Sequence, residues 1–262
     1  MGITVASDSS KRPSSAFTNI ANKRTFPCIT IRYQTNIPGQ VGLAGSSAII
    51  TAAMRALMEY YDIKIPAPVL ANVIREVETI ELGISAGLQD RVAQVYEGLV
   101  FMDFDQLTMK EQGFGNYSPL PANRLENLYI AYRQDLSEGS EIMHNDLKAR
   151  FQKKDPQVLD AMETWAELAQ MTKERIEQNR IDEIGPLLDQ NFDLRKKLCP
   201  ISEGNLQMVE AARSTGASAK FCGSGGAIVG TFEDETMFKK LAGTLENLDI
   251  LIIRPRLIGG EL

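Results

Sequence analysis

The chain has 262 residues, 44% of them apolar, enough for a sizeable core and for two lobes more comfortably than one. Twenty-eight basic residues against 34 acidic ones leave a net charge of −6 and a pI of about 5.1. That balance argues against a general nucleic-acid binder, whose surface would carry a basic patch or stripe.

Three widely spaced cysteines, Cys28, Cys199 and Cys222, show no CxxC or Cys/His metal spacing. They fit a reducing compartment and no structural zinc. Apolar runs such as Ala48–Ala53 and Leu248–Ile253 are too short to cross a bilayer. The opening text MGITVASDSSKRPSS holds no apolar signal core, and Ala6 stands where N-myristoylation would want Ser or Thr. No membrane partner is expected, and the cytoplasm is the default location.

In chain order, residues 1–25 are polar and Ser/Lys-rich and read as a loose leader. Cys28–Tyr33 is β-branched and alternating, hence a strand. A glycine-rich turn, Asn36–Gly45, leads into a buried helix from Ser46 to Tyr60. A second helix spans about Pro68–Leu82, a helical turn lies at Asp90–Val95, and a strand at Gly98–Phe104. Gly, Asn, Pro and Tyr between Gln112 and Asn123 mark a loop and a domain boundary, giving lobes at 26–122 and 123–262.

The second lobe opens with a strand at Leu128–Tyr132, followed by three or four amphipathic helices over Glu138–Ala212. Strand-like Ala219–Phe221 and Ala227–Phe232 then bracket another glycine turn. A helix at Glu235–Leu245 and a strand at Asp249–Arg254 close the chain. Strands and helices in unequal runs indicate α+β in two lobes rather than a regular βαβ winding.

Three segments could carry chemistry. In Pro38–Ala48 (PGQVGLAGSSA) glycines allow close backbone approach, and the first amides of a helix point at whatever fills the turn. Phosphate is the commonest occupant of such a place, although the Walker-type lysine is absent. The bland alternative is an N-cap at Ser46 with no ligand. In Glu81–Arg91 (ELGISAGLQDR), Asp90 could accept a hydroxyl proton or simply cap the following helix; taken singly, capping is favoured. In Lys220–Ala227 (KFCGSGGA) the glycines could form a plain hairpin or a backbone nest for anions. Cys222 there reads as a small buried residue, and the lone His144 excludes Ser–His, Cys–His and multi-histidine metal sites. Trp165 reads as an anchor of the helical core.

Together these segments resemble one family. Pro38, Gly42, Leu43, Ala44, Gly45, Ser46, Ser47 and Ala48 match the phosphate loop of the GHMP kinases. Gly223, Ser224, Gly225 and Gly226 resemble that family's third motif, which packs beside the first loop. Gly83–Asp90 is similar to the segment bearing its catalytic aspartate. Within the family, TNIPGQVGLAGSSAI, LGISAGLQDRVAQVYEGLVFMDF, NFDLRKKL and KFCGSGGA look like the text of plant-type glucuronokinases, in the same order.

The resemblance implies a two-lobed α+β fold, with a ribosomal S5 domain 2-like N-terminal lobe, here truncated, and a ferredoxin-like helical C-terminal lobe. It implies ATP and Mg²⁺ as cofactors and transfer of the γ-phosphoryl to the anomeric hydroxyl of D-glucuronate. Gly42–Ser47 and Gly223–Gly226 would hold the nucleotide, and Asp90 would orient or deprotonate the sugar hydroxyl. Ser47, or Ser46, would help hold the metal, with Glu78 or Glu81 as its carboxylate. Gly87, Gln89, Asp90 and Arg91 would line the sugar. Arg91 or Arg195 would pair with the sugar's carboxylate, because a buried anion needs a cation and arginine suits a planar carboxylate.

The family's opening Arg-x-Gly-rich motif has no match in residues 1–27, so the likeness is expected to begin near Phe26 and the Cys28–Tyr33 strand to be short of partners. Two rivals follow: a non-catalytic piece that still binds nucleotide, and a kinase for another sugar or uronic acid such as galacturonate. The sequence carries no signal for oligomeric state.

Overall fold

The computed structural model describes residues 2–7, 29–39, 41–136 and 140–257, with residues 2–7 and 140–145 as backbone. The remainder of the expected leader, Cys28 and the His144 side chain lie outside this description. The described chain divides into two compact units: residues 1–37 with 44–119, and residues 38–43 with 120–262. It passes from the second unit to the first between Leu43 and Ala44, in the middle of the first glycine turn.

The first unit opens with a two-stranded antiparallel ribbon, β1 (Gly2–Ser7) and β2 (Ile29–Gln34), in a register that sets Val5 opposite Ile31. The expectation of a loose leader therefore fails over Gly2–Ser7, and the second strand, expected to be short of partners, has β1 as its neighbour in a two-stranded ribbon. The alternation of ITVAS there is a strand pattern, which the polar text following it obscured. Helix α1 (Gly45–Tyr60) buries Ser47, Ala48, Thr51 and Met54, one stripe at helical spacing.

Helix α2 (Ala67–Glu76) starts with Pro68 in its first turn and buries Leu70, Ala71, Val73 and Ile74. It runs straight into a single π-helical turn, Val77–Glu81, in place of more α-helix. Helix α3 (Gln89–Tyr96) adds Val92 and Val95 to this core. Strand β3 (Leu99–Asp103) pairs with β4 (Asn116–Leu120), and α4 (Gln106–Gln112) lies between them in sequence. The stretch read as a boundary loop thus contains a strand, and α4 went unforeseen. Its signal was Asp105, whose side chain accepts from the Thr108 amide at 2.9 Å.

The second unit is built on a four-stranded antiparallel sheet in the order β6-β7-β5-β8. The strands are β5 (Leu128–Tyr132), β6 (Lys220–Phe221), β7 (Ala227–Thr231) and β8 (Leu251–Ile253). Ile130 sits opposite Val229 on one side and Ile253 on the other. Helices α5 (Ser140–Gln152), α6 (Pro156–Glu177), α7 (Ile184–Leu198), α8 (Glu203–Arg213) and α9 (Glu235–Glu246) supply the rest.

Tyr129 and Ala131 of β5 pack with Phe192 of α7, Met208 and Val209 of α8, and Leu241 and Leu245 of α9. The Tyr129 hydroxyl is satisfied inside this core by the Ser218 carbonyl at 2.7 Å. Trp165 is partly buried and donates to the Asn191 carbonyl at 3.2 Å, tying α6 to α7.

At Gly230 the sheet leaves no room for a side chain: an added Cβ would sit 1.7 Å from the Ser218 carbonyl oxygen and 2.7 Å from the Tyr129 ring. We expect Gly230→Ala to lower stability by about 1–3 kcal/mol or more, read as an earlier urea midpoint, because backbone must shift to accept it.

Candidate functional site

The first glycine turn ends at Ala44, which adopts a left-handed conformation (φ 52°, ψ 36°) and stands as the residue before α1. No side chain caps this helix start. The bland reading, an N-cap at Ser46, does not hold: Ser46 lies inside the first turn. Among the described residues the early amides of α1 are thus left without a side-chain acceptor, as a phosphate-accepting helix start requires.

The two serines part company. The Ser47 side chain is fully buried and donates back to the Ala44 carbonyl at 3.0 Å. Ser46 is exposed, and its hydroxyl donates to Oε1 of Glu78 at 2.8 Å. The register expected to put Ser47 beside a cation therefore puts Ser46 beside a carboxylate.

Glu78 itself is wholly buried within the π turn. The amide of Ile84 donates to its carbonyl at 2.8 Å, and Leu82 closes the turn on the Val77 carbonyl at 3.1 Å. Its Oε2 receives both Nε and Nη2 of Arg91, a residue only 6% exposed. A buried carboxylate needs such a partner, since isolated burial of its charge costs several kcal/mol. Glu81, at the far end of the turn, is exposed.

Arg91 has a second edge. Its Nη1 donates to Asp90 Oδ2 at 3.2 Å and to the Gly87 carbonyl at 3.2 Å. Asp90 is the second residue of α3, half-exposed, and no side chain caps that helix, so the capping alternative for Asp90 fails. Gln89 opens the helix and is exposed. Ser46, Glu78, Arg91 and Asp90 form one continuous polar chain within the first unit.

In the second unit the earlier half of the first glycine turn packs on the late one. Gly42, at φ 72°, would bring a Cβ within 2.6 Å of the Gly225 carbonyl oxygen, and a Cβ on Gly223 would lie 3.1 Å from the Gly42 carbonyl. Only glycine permits both the left-handed angle and this approach. The turn at 223–226 joins β6 to β7 as a hairpin, closed by the Cys222 amide on the Ala227 carbonyl at 3.0 Å.

Asn205 of α8, fully buried, receives the Gly226 amide at 2.8 Å and donates to Ser202 at 3.0 Å. Sequence reading missed it; an asparagine within a helix offered only a faint signal. Arg195 of α7 donates to the carbonyls of Gly223 (2.6 Å) and Ser224 (2.5 Å) and stacks 4.8 Å above the Phe221 ring. Both arginines put forward for a substrate carboxylate, Arg91 and Arg195, are thus engaged with acceptors of the protein itself.

Beside this turn, burial pushes the Lys220 ammonium below its ordinary range, and its Nζ donates to the Phe221 carbonyl at 3.0 Å. Burial pushes the Cys222 thiol up to about 12.

The family model for the GHMP kinases N terminal domain matches residues 12–98, beginning upstream of the expected start near Phe26. "Probable glucuronokinase 2" of Arabidopsis thaliana is 41% identical over 76% of this chain and 56% of its own length. "Glucuronokinase 1" of the same plant is 38% identical over the same shares. The chain thus spans a little over half the length of these relatives.

Among solved structures, the phosphomevalonate kinase of Streptococcus pneumoniae superposes with a TM-score of 0.71 at 18% identity, over 93% of this chain and 79% of that one. The galactokinase of Lactococcus lactis gives 0.69 at 13% identity, over 96% and 77%. These two likenesses bear on the fold. Among the described residues no helix is long and apolar enough to cross a membrane, and no group of three or more His, Cys, Asp or Glu could hold a metal.

Two outcomes are expected. Arg91→Met should cost about 3–5 kcal/mol in an unfolding titration, because it strands the Glu78 charge, while Glu78→Gln combined with Arg91→Met should recover most of that loss. Burial raises the Cys222 thiol well above its ordinary range, to about 12, so that it stays protonated at pH 8. Peptide mapping at pH 8 should therefore find it unalkylated until denaturant is added, since the thiolate is the reactive form. Residues 12–98 thus match the GHMP kinases N terminal domain, and the chain is similar over 76% of its length to the plant glucuronokinases.

Proposed function

We propose that the chain is an ATP-dependent phosphotransferase that carries the γ-phosphoryl group to the anomeric hydroxyl of D-glucuronate, giving glucuronate 1-phosphate and ADP. The observation that carries this reading is the polar chain from the uncapped start of α1 through Ser46, Glu78 and Arg91 to Asp90. The names of the two Arabidopsis relatives, both glucuronokinases, support the substrate.

Phosphoryl transfer asks little covalent chemistry of a protein; it asks for positioning and for neutralisation of charge. The first amides of α1 would take phosphate oxygens, aided by the helix dipole. Mg²⁺ prefers hard oxygen ligands and usually binds through one or two carboxylates together with substrate phosphates. Ser46 Oγ and Glu78 Oε1, adjacent and both oxygen, fit that demand, with Oε2 already occupied by Arg91. When bound, the metal would offset charge building up on the phosphates. Asp90, exposed and steadied by Nη1 of Arg91, would accept or orient the sugar hydroxyl proton.

The rivals separate in one assay series. Formation of sugar 1-phosphate from ATP and Mg²⁺ is followed with glucuronate, galacturonate and neutral sugars, and ADP binding is followed alongside. Glucuronate should be preferred, and Asp90→Asn should cut turnover by about 10²–10⁴-fold while ADP still binds. A chain that binds ADP but turns over none of the sugars is a nucleotide-binding piece. One that binds no nucleotide contradicts the reading.

A further inference from the structure

We infer that Arg195 is a positioning residue that turns the Gly223–Gly226 hairpin into an anion-binding nest for the nucleotide phosphates, rather than a partner of the substrate's carboxylate. This rests on the phosphotransferase reading above and assigns a device within it.

Arg195 donates Nη1 to the Gly223 carbonyl and Nη2 to the Ser224 carbonyl, two consecutive acceptors on one side of the turn. A trans peptide unit directs its C=O and the following N–H to opposite sides. Fixing these two carbonyls on Arg195 therefore directs the amides of Ser224 and Gly225 away from it, side by side. Among the described residues neither amide donates a hydrogen bond, whereas the amides on either flank are engaged, Cys222 with Ala227 and Gly226 with Asn205. Successive backbone amides left facing one way make an anion-binding concavity.

The guanidinium suits the task because its planar fork reaches two acceptors at once, which an ammonium cannot do in the same geometry. Its plane is steadied by the Phe221 ring 4.8 Å below and by its place near the C-terminal end of α7, a helix buried through Phe192. Arg195 also adds positive charge behind the turn, on the side away from the amides. The same residue thus shapes the nest and biases it toward anions.

The test measures ADP and ATP–Mg²⁺ affinity by calorimetry for the native chain, Arg195→Lys and Arg195→Met, together with KM for the sugar acid. Nucleotide affinity should weaken by about tenfold or more in Arg195→Met, as expected for losing charge-assisted bonds that fix the turn, and by less in Arg195→Lys. The sugar-acid KM should stay put. In the native chain ADP should slow hydrogen exchange at Ser224 and Gly225, a readout that needs no variant. An unchanged nucleotide affinity in both variants, or a rise in sugar-acid KM in its place, overturns the inference while leaving the phosphotransferase reading intact. Absence of nucleotide binding in the native chain overturns both.

Discussion

A single buried carboxylate organises the first unit. Glu78 is wholly removed from water, a state that is sustainable only because Arg91 covers one of its oxygens with two donors. That pairing has consequences in both directions along the chain. It leaves Oε1 to meet Ser46 at the start of α1, and it uses the remaining edge of the guanidinium to hold Asp90 and the Gly87 carbonyl. Three segments, at Ser46, Glu78 and Gly87–Arg91, are fixed to one another by one charge. Glu78 continues the inner face of the helix before it, four residues on from the buried Ile74, and so enters the core as the π turn begins.

The second unit meets its own constraint through absent side chains. Gly42 and Gly225 approach so closely that any Cβ on Gly42 would overlap the facing backbone, and Asn205 and Arg195 fix the late turn from two helices. Rigid elements thus present mobile-looking glycine text in one shape. A site of backbone amides needs such enforcement, because amides carry no side chain with which to find their ligand.

Much of this was legible beforehand, and the exceptions have physical reasons. Strong periodicity made the long helices and the β5 strand readable, and glycine spacing exposed both turns. The division of labour between Ser46 and Ser47 could not be read from text, since it depends on whether the helix begins at residue 45 or 46 and on the left-handed Ala44. Arg91 looked available for a ligand because its partner Glu78 is 13 residues distant, on a different helical segment. Arg195 looked available for the same reason, its acceptors being backbone carbonyls that leave no mark in a sequence. Strand β1 was hidden by the polar text after it, and β4 by proline and glycine in its neighbourhood.

The central claim is that Ser46 and Glu78 together form the metal-assisted end of a phosphate site. Calorimetry of ATP binding with and without Mg²⁺, in the native chain and in the Glu78→Gln/Arg91→Met double variant, addresses it most directly. Mg²⁺ should tighten binding in the native chain, and the double variant should bind ATP equally with or without the metal. A double variant that keeps the full Mg²⁺ dependence would contradict the account.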